Sequence, residues 1–251
     1  VSTFTGNTSG DCITDLYITN LYGCSPITVH DNFQHISSSA TGINSIAWGS
    51  GTTASGDWSH AEGLGNIASG KGSHAEGGVD RDGLAAPTSA TTFSSHAEGW
   101  GTLSSGWASH AEGYKTTASG IFSHAEGSYT TASVGHSHAE GYNTTASGEA
   151  SHAEGYGSRA EGSSTHAEGK YTTASGVYSH AEGYNTTASG HYGSHAEGNN
   201  TTASGDYGSH AEGYNTTASG EVSHAEGRDT IAIGLVSHAE GTDTTASGGF
   251  S

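Results

Sequence analysis

The sequence predicts an all-β chain wound into a parallel β-solenoid (β-roll) of 14-residue, two-strand coils, and three observations carry that prediction. The tetrapeptide His-Ala-Glu-Gly occurs thirteen times, with its histidine at His60, His74, His96, His110, His124, His138, His152, His166, His180, His195, His210, His224 and His238. Successive copies are fourteen residues apart, except for one step of twenty-two from His74 to His96 and two of fifteen between His180 and His210. A fixed short period marks a stacked repeat architecture. Small residues also alternate within each unit, the period-two signature of a strand face. Finally, helix signals are missing: glycine fills 41 of 251 positions, methionine is absent, and no apolar stripe of period 3.6 appears. The glycines do not recur every third residue, which excludes collagen.

One unit, Ser179 to Tyr192, shows the design. Its first heptad places Ser179, Ala181 and Gly183 at alternate positions, and its second does the same with Thr186, Ala188 and Gly190. Each heptad is therefore a short strand with a Ser/Thr-Ala-Gly face followed by a two-residue corner. A face that small can be covered only by another backbone approaching closely, and glycine at the strand end permits the torsions of a tight corner. Two such strands facing each other make a narrow coil with the small side chains inside. About fourteen coils at a strand spacing of ~4.8 Å make a rod ~65 Å long. So thin a coil buries little apolar surface against the entropy of ordering its chain, so partner chains are expected to stabilise it, most simply as a homotrimer.

If Ser, Ala and Gly point inward, His and Glu point outward. The residue preceding each Ser does too, and that row holds Trp58, Phe122 and Tyr178 among others. The His/Glu face changes only at Ile46 and Trp48, whereas the Thr/Ser face of the second strand becomes Arg159 and Glu161 in one coil and Ile231 and Ile233 in another. The less variable face is assigned to the contact between chains. The interface residues expected are His110, Glu112, His124, Glu126, His138, Glu140, His152, Glu154, His180 and Glu182, with Trp58, Phe122 and Tyr178 from the corner row.

Asn44-Ser45-Ile46-Ala47-Trp48-Gly49, followed by Thr53-Ala54-Ser55-Gly56, resembles the head repeat of trimeric autotransporter adhesins of the YadA type. The Ser-His-Ala-Glu-Gly form resembles repeats of phage tail-fibre and other virion appendage proteins. The resemblance spans residues 43 to 251 and implies a left-handed parallel β-roll in which three chains associate. The chain departs from the adhesin pattern by placing His and Glu where that family has aliphatic residues.

Taken in order, residues 1–42 form a separate region, expected to be an N-terminal cap, attachment or polymerisation segment. It contains no apolar stretch long enough for a membrane-spanning helix. The segment from Cys12 to Cys24 reads as two short strands rich in β-formers, ending at Gly23 and Pro26. Cys12 and Cys24 are the chain's two cysteines; on an extracellular fibre they are disulfide candidates, within or between chains, the alternative being two buried thiols. The repeat domain is placed at 43–251. It is interrupted by a loop insertion at 78–87, Gly-Val-Asp-Arg-Asp-Gly-Leu-Ala-Ala-Pro, which adds eight residues at a corner. The repeat stops in mid-unit at Ser251, so either a further module or another copy of the chain is expected to cover that strand edge.

No catalytic or cofactor-binding constellation emerges, and the chain reads as a non-enzyme. A Ser-His-Glu triad fails on geometry, because the serine points into the coil and the histidine out. His-x-Glu on one face could bind divalent metal, but a hydrogen-bonded ladder across an interface is the preferred reading, and no metal residue is assigned. The net charge of −19 argues against nucleic acid and anionic membrane surfaces as partners. Stacked carboxylates repel unless imidazolium lies beside them, so assembly is expected to weaken as the histidines lose their protons. Aromatic residues at the other corner, Trp100, Tyr114, Tyr142, Tyr156, Tyr184 and Tyr214, could stack on sugars or simply cover the coil edge.

The function expected is a structural fibre or spike: a trimeric rod on a virion or cell surface, serving attachment or acting as a spacer. A cell-surface glycan or protein is the candidate receptor. Two alternatives stand beside it, a head-to-tail self-polymerising filament and an ice- or glycan-binding solenoid using the Thr/Ser face at Thr117 and Ser119 and its equivalents.

Overall fold

The computed structural model describes residues 33–34, 37–78 and 86–251. The chain separates into two units, Val1–His30 and Asp31–Ser251. Cys12 and Cys24 lie outside the described residues, as do 79–85 of the insertion. Among the described residues, the second unit contains thirty strands and no helix.

The strands alternate between two parallel sheets of fifteen. The first coil pairs β1 (Phe33–Gln34) with β2 (Ser39–Ala40), and the next pairs β3 (Ile46–Ser50) with β4 (Thr53–Ala54). The pattern then repeats from β5 (His60–Leu64) and β6 (Ile67–Ala68) to β29 (His238–Thr242) and β30 (Thr245–Ala246). Odd strands form one sheet and even strands the other, each strand bonded to the one a full turn away. Both sheets thus reach back past residue 43, with Phe33 opposite Ile46 and Ser39 opposite Thr53.

Like stacks on like throughout. His110, Ala111, Glu112 and Gly113 lie opposite His124, Ala125, Glu126 and Gly127, and Thr117 and Ala118 lie opposite Thr131 and Ala132. Backbone amides donate from one coil to the carbonyls of the next, as in His110 N–H to Ser123 O at 3.0 Å and Thr117 N–H to Thr130 O at 2.9 Å. Units of fifteen keep this register. His180 pairs with His195 and His195 with His210, because the extra glycines, Gly193 and Gly208, bulge at a corner with nothing near them.

The interior holds what the alternation predicts. Alanines from both sheets are fully buried from Ala47 to Ala232, flanked by buried Ser and Thr. Inward serines such as Ser123 and Ser151 donate to the carbonyl three residues back, to Gly120 at 2.7 Å and to Gly148 at 2.7 Å, which closes those corners from inside. Glycine is required where the backbones press together. A Cβ on Gly127, whose φ is +100°, would lie 2.3 Å from the Gly141 oxygen, and one on Gly120 would lie 1.9 Å from the Val134 oxygen.

The corners need left-handed backbone at non-glycine residues as well. Trp58, Phe122, Tyr178 and Val222 have φ of 54–59°, and so do Lys115, Tyr129 and Asn143 at the opposite corner with 52–58°. L-residues enter this region at a cost, least for Asn and greatest for β-branched side chains. Each such amide is repaid by a bond to the preceding coil, Phe122 N–H to Trp107 O at 2.8 Å and Asn143 N–H to Ser128 O at 2.9 Å.

The twenty-two-residue step is absorbed by one exceptional core residue. Asn66 occupies an inward position that elsewhere holds Thr or Ser, and it is fully buried. Its Oδ1 accepts from the Thr88 amide at 2.9 Å, where the chain re-enters the coil, and its Nδ2 donates to the Glu62 oxygen at 2.5 Å. The excursion is closed by Ala86 N–H donating to Gly78 O at 2.9 Å. Register is then restored, with Ile67 opposite Ser89 and His74 opposite His96.

Two stability changes follow from these contacts. Gly127→Ala should lower stability by about 2 kcal/mol or more, since it adds backbone strain and a clash with the next coil. Asn66→Ala should cost about 2 kcal/mol by stranding the buried Thr88 amide. Thermal melts of the two variants against the parent check both.

Candidate interaction faces of the coil

Because the strand alternates, every His and Glu of the first sheet stands on its outer face. The imidazoles form one continuous stack from His60 to His238. His96–His110, His138–His152 and His195–His210 have ring centroids 4.7, 4.7 and 4.8 Å apart and planes within 2–6°. The His210–His224 pair is tilted by 35°. The spacing is that of the sheet itself, so the stack is a consequence of the register.

Beside each imidazole lies the carboxylate two residues on. The Nε2–Oε2 separation is 3.6 Å for His110–Glu112, 3.7 Å for His124–Glu126 and His138–Glu140, 3.5 Å for His152–Glu154 and 3.9 Å for His180–Glu182. The expected hydrogen-bonded ladder is therefore not formed within one chain. These distances exceed a charge-assisted hydrogen bond, and Nε2 of all five histidines is buried without a hydrogen-bond partner. The side chains are half-buried, with about a third of their surface open.

For the fold of the single chain, the pH effect of the imidazoles is set first by burial. Burial lowers the imidazole pKa of His74, His110, His138, His195 and His210 below the ordinary 6.5, and the neighbouring imidazoles lower it further. The carboxylates oppose this but do not prevail. Around His138, for example, His152 and His124 press the pKa down while Glu140 and Glu126 raise it. Burial, with like charges less than 5 Å away added to it, outweighs the attraction of the adjacent acids.

The corner residues Trp58, Phe122 and Tyr178 stand well exposed, at 57, 56 and 62%. They do not join the imidazole stack. Lys71 lies over the Trp58 ring at 4.6 Å, and the Phe122 ring meets His136 at 5.4 Å.

The opposite corner carries a second ladder that runs from Trp100 through Tyr114, Tyr129, Tyr142, Tyr156 and Tyr171 to Tyr184, with neighbouring centroids 4.6–6.3 Å apart. Lys115 and Lys170 lie over its rings. Tyr129 and Tyr171 were not singled out from the sequence, although a signal was present. They occupy the next position along the chain, in the two coils where Ser128 or Lys170 replaces the usual ring. The ring faces are spent on one another and on lysine, which leaves mostly edges to a ligand.

The outer face of the second sheet carries the Thr/Ser rows. An Arg159–Glu161 ion pair at 2.6 Å interrupts them, as do the exposed Ile231 and Ile233. The serines of Ser-His-Ala-Glu-Gly, in contrast, are buried within the coil and turned away from the imidazoles.

These features define a parallel β-solenoid of two-strand coils whose chemistry lies in repeated outer rows. The model of the YadA head domain repeat matches residues 40–59, 111–133, 139–165, 167–192, 211–237 and 225–251, more than half of the chain. The chain belongs to the YadA head domain repeat family. No match is found among curated proteins.

Stability should follow the imidazoles. The folded pKa of His74, His110, His138, His195 and His210 lies below the unfolded value near 6.5, so their contribution is present above that pH and is lost as pH falls through it. Melting of chelator-treated protein from pH 7.5 to 5 should therefore show a falling Tm below about 6.5; a flat or rising profile would contradict it.

Proposed function

We propose that the chain is the rod of a homotrimeric surface fibre, displayed on a cell or virion and acting in attachment or as a spacer. Its membership of the YadA head repeat family is the observation that carries this reading, because that repeat belongs to adhesin fibres built from three chains and is structural rather than enzymatic. The proposed contact between chains is the His/Glu face at His110, Glu112, His124, Glu126, His138, Glu140, His152, Glu154, His180 and Glu182, edged by Trp58, Phe122 and Tyr178. Two features support it. The face repeats with little change, and its Nε2 atoms are desolvated yet unpartnered in a single chain, a state that a neighbouring chain can relieve.

A coil with a core of alanine and hydroxyl residues also gains most from partners, since alanine burial yields little per residue. The −19 charge supports a role away from nucleic acid and anionic membrane. A hydroxyl-based binding surface is a second reading, favoured by the uninterrupted Thr-x-Ser rows of four successive coils from Thr173 to Ser219.

Sedimentation equilibrium tests the trimer. The expected mass is three times the 25.2 kDa of the chain, and replacing His138 and His152 by glutamate should weaken association about tenfold or more. A parent chain that sediments as a monomer at tens of micromolar overturns the proposal.

A further inference from the structure

We propose that the imidazole and carboxylate rows form a series of binding sites for divalent transition-metal ions, each built from a histidine, the glutamate two residues on and the histidine one coil further along. The sets His96–Glu98–His110 and His138–Glu140–His152 each bring three ligand atoms within 4.8 Å of one another. Four sets of this form occur among the described residues, three of which can be filled without sharing a residue, and Glu112–His124–Glu126 adds a separate set of two carboxylates and one imidazole.

The distances favour an ion over a proton between the side chains. Nε2 and Oε2 are 3.6 Å apart in His96–Glu98 and 3.7 Å apart in His138–Glu140. A hydrogen bond would draw them to about 2.8 Å. Two ligands of a tetrahedral ion at about 2.0–2.1 Å each stand ~3.4 Å apart, close to what the chain presents. The nitrogens also lack any other hydrogen-bond partner. Imidazole with carboxylate suits zinc, cobalt, nickel or copper rather than calcium or magnesium. The second imidazole must tip out of the stack to turn its in-plane lone pair toward the ion, and water or a neighbouring chain completes the coordination. The inference stands on single-chain geometry and goes beyond the trimer reading.

The fold does not itself need these side chains. Ile46 and Trp48 sit opposite His60 and Glu62 in the same sheet, so isoleucine is already compatible with the histidine position. This makes His138→Ile with His152→Ile a usable variant, and Glu140→Gln a second one that keeps shape and polarity.

Untagged, chelator-stripped full chain is titrated with Zn2+ by calorimetry and with Co2+ by its visible absorption. The expected result is saturable uptake at roughly micromolar affinity or tighter, with more than one and at most four ions per chain. Zn2+ should displace Co2+. The double isoleucine variant should bind at least one ion fewer while remaining folded after chelator treatment, and if it unfolds, Glu140→Gln, in which the altered set should bind about tenfold more weakly, carries the test. Absence of saturable uptake, equal uptake of Mg2+, or unchanged uptake in a folded variant overturns the proposal. Sedimentation of the same samples separates the two readings: a trimer without ions sinks this one alone, and a metal-loaded monomer sinks only the trimer.

Discussion

The hydrogen bonds that run between coils are what the rest of the structure depends on. Among the described residues the interior contains nothing larger than Asn66, and its apolar content is the methyl groups of alanine and threonine. Such a core contributes little side-chain packing, so the stacking of coil on coil carries the fold. Glycine at Gly127, Gly120 and their equivalents is the condition for that stacking, because a Cβ there would meet the backbone of the next coil. Regular amide-to-carbonyl bonding along the stack then does what side-chain burial does elsewhere, and each coil is stabilised by its neighbours rather than by a shared centre.

Strict register has an electrostatic consequence. Stacking identical coils places each interior histidine of the row between two others, with ring centroids 4.7–5.0 Å apart. For His110 and His138 the outcome favours the neutral form, because a proton there is opposed by partial burial and by the neighbouring imidazoles. The carboxylates form a parallel row, so the face as a whole is rich in lone pairs and acceptors and poor in donors. The two lysines of the opposite corner show the contrasting solution, with each ammonium spread over several rings.

The architecture was legible in the sequence because the same heptad pattern is written many times over, and alternate Ser, Ala and Gly leave a single inward face. The placement of His and Glu outside, Ala inside and Gly193 and Gly208 at corners follows from that alternation alone. The start of the sheets was not legible. Phe33–Gln34 and Ser39–Ala40 pair with the next coil through backbone, although Phe33 and Gln34 carry none of the repeat's residue types. Nor was the protonation preference, which depends on how closely the rings stack and how little water reaches Nε2, distances no residue pattern states. The role of Asn66 was equally hidden, since it acts across twenty-two residues on an amide that the sequence does not mark.

The corner glycines Gly193 and Gly208 show that an added residue is extruded at a bend without disturbing the ladder on either side. Spare length is thus discharged sideways, and the axial rise is set by backbone spacing alone. Whole turns are consequently interchangeable modules: genes gaining or losing fourteen codons would lengthen or shorten the shaft in increments of ~4.8 Å without new folding information.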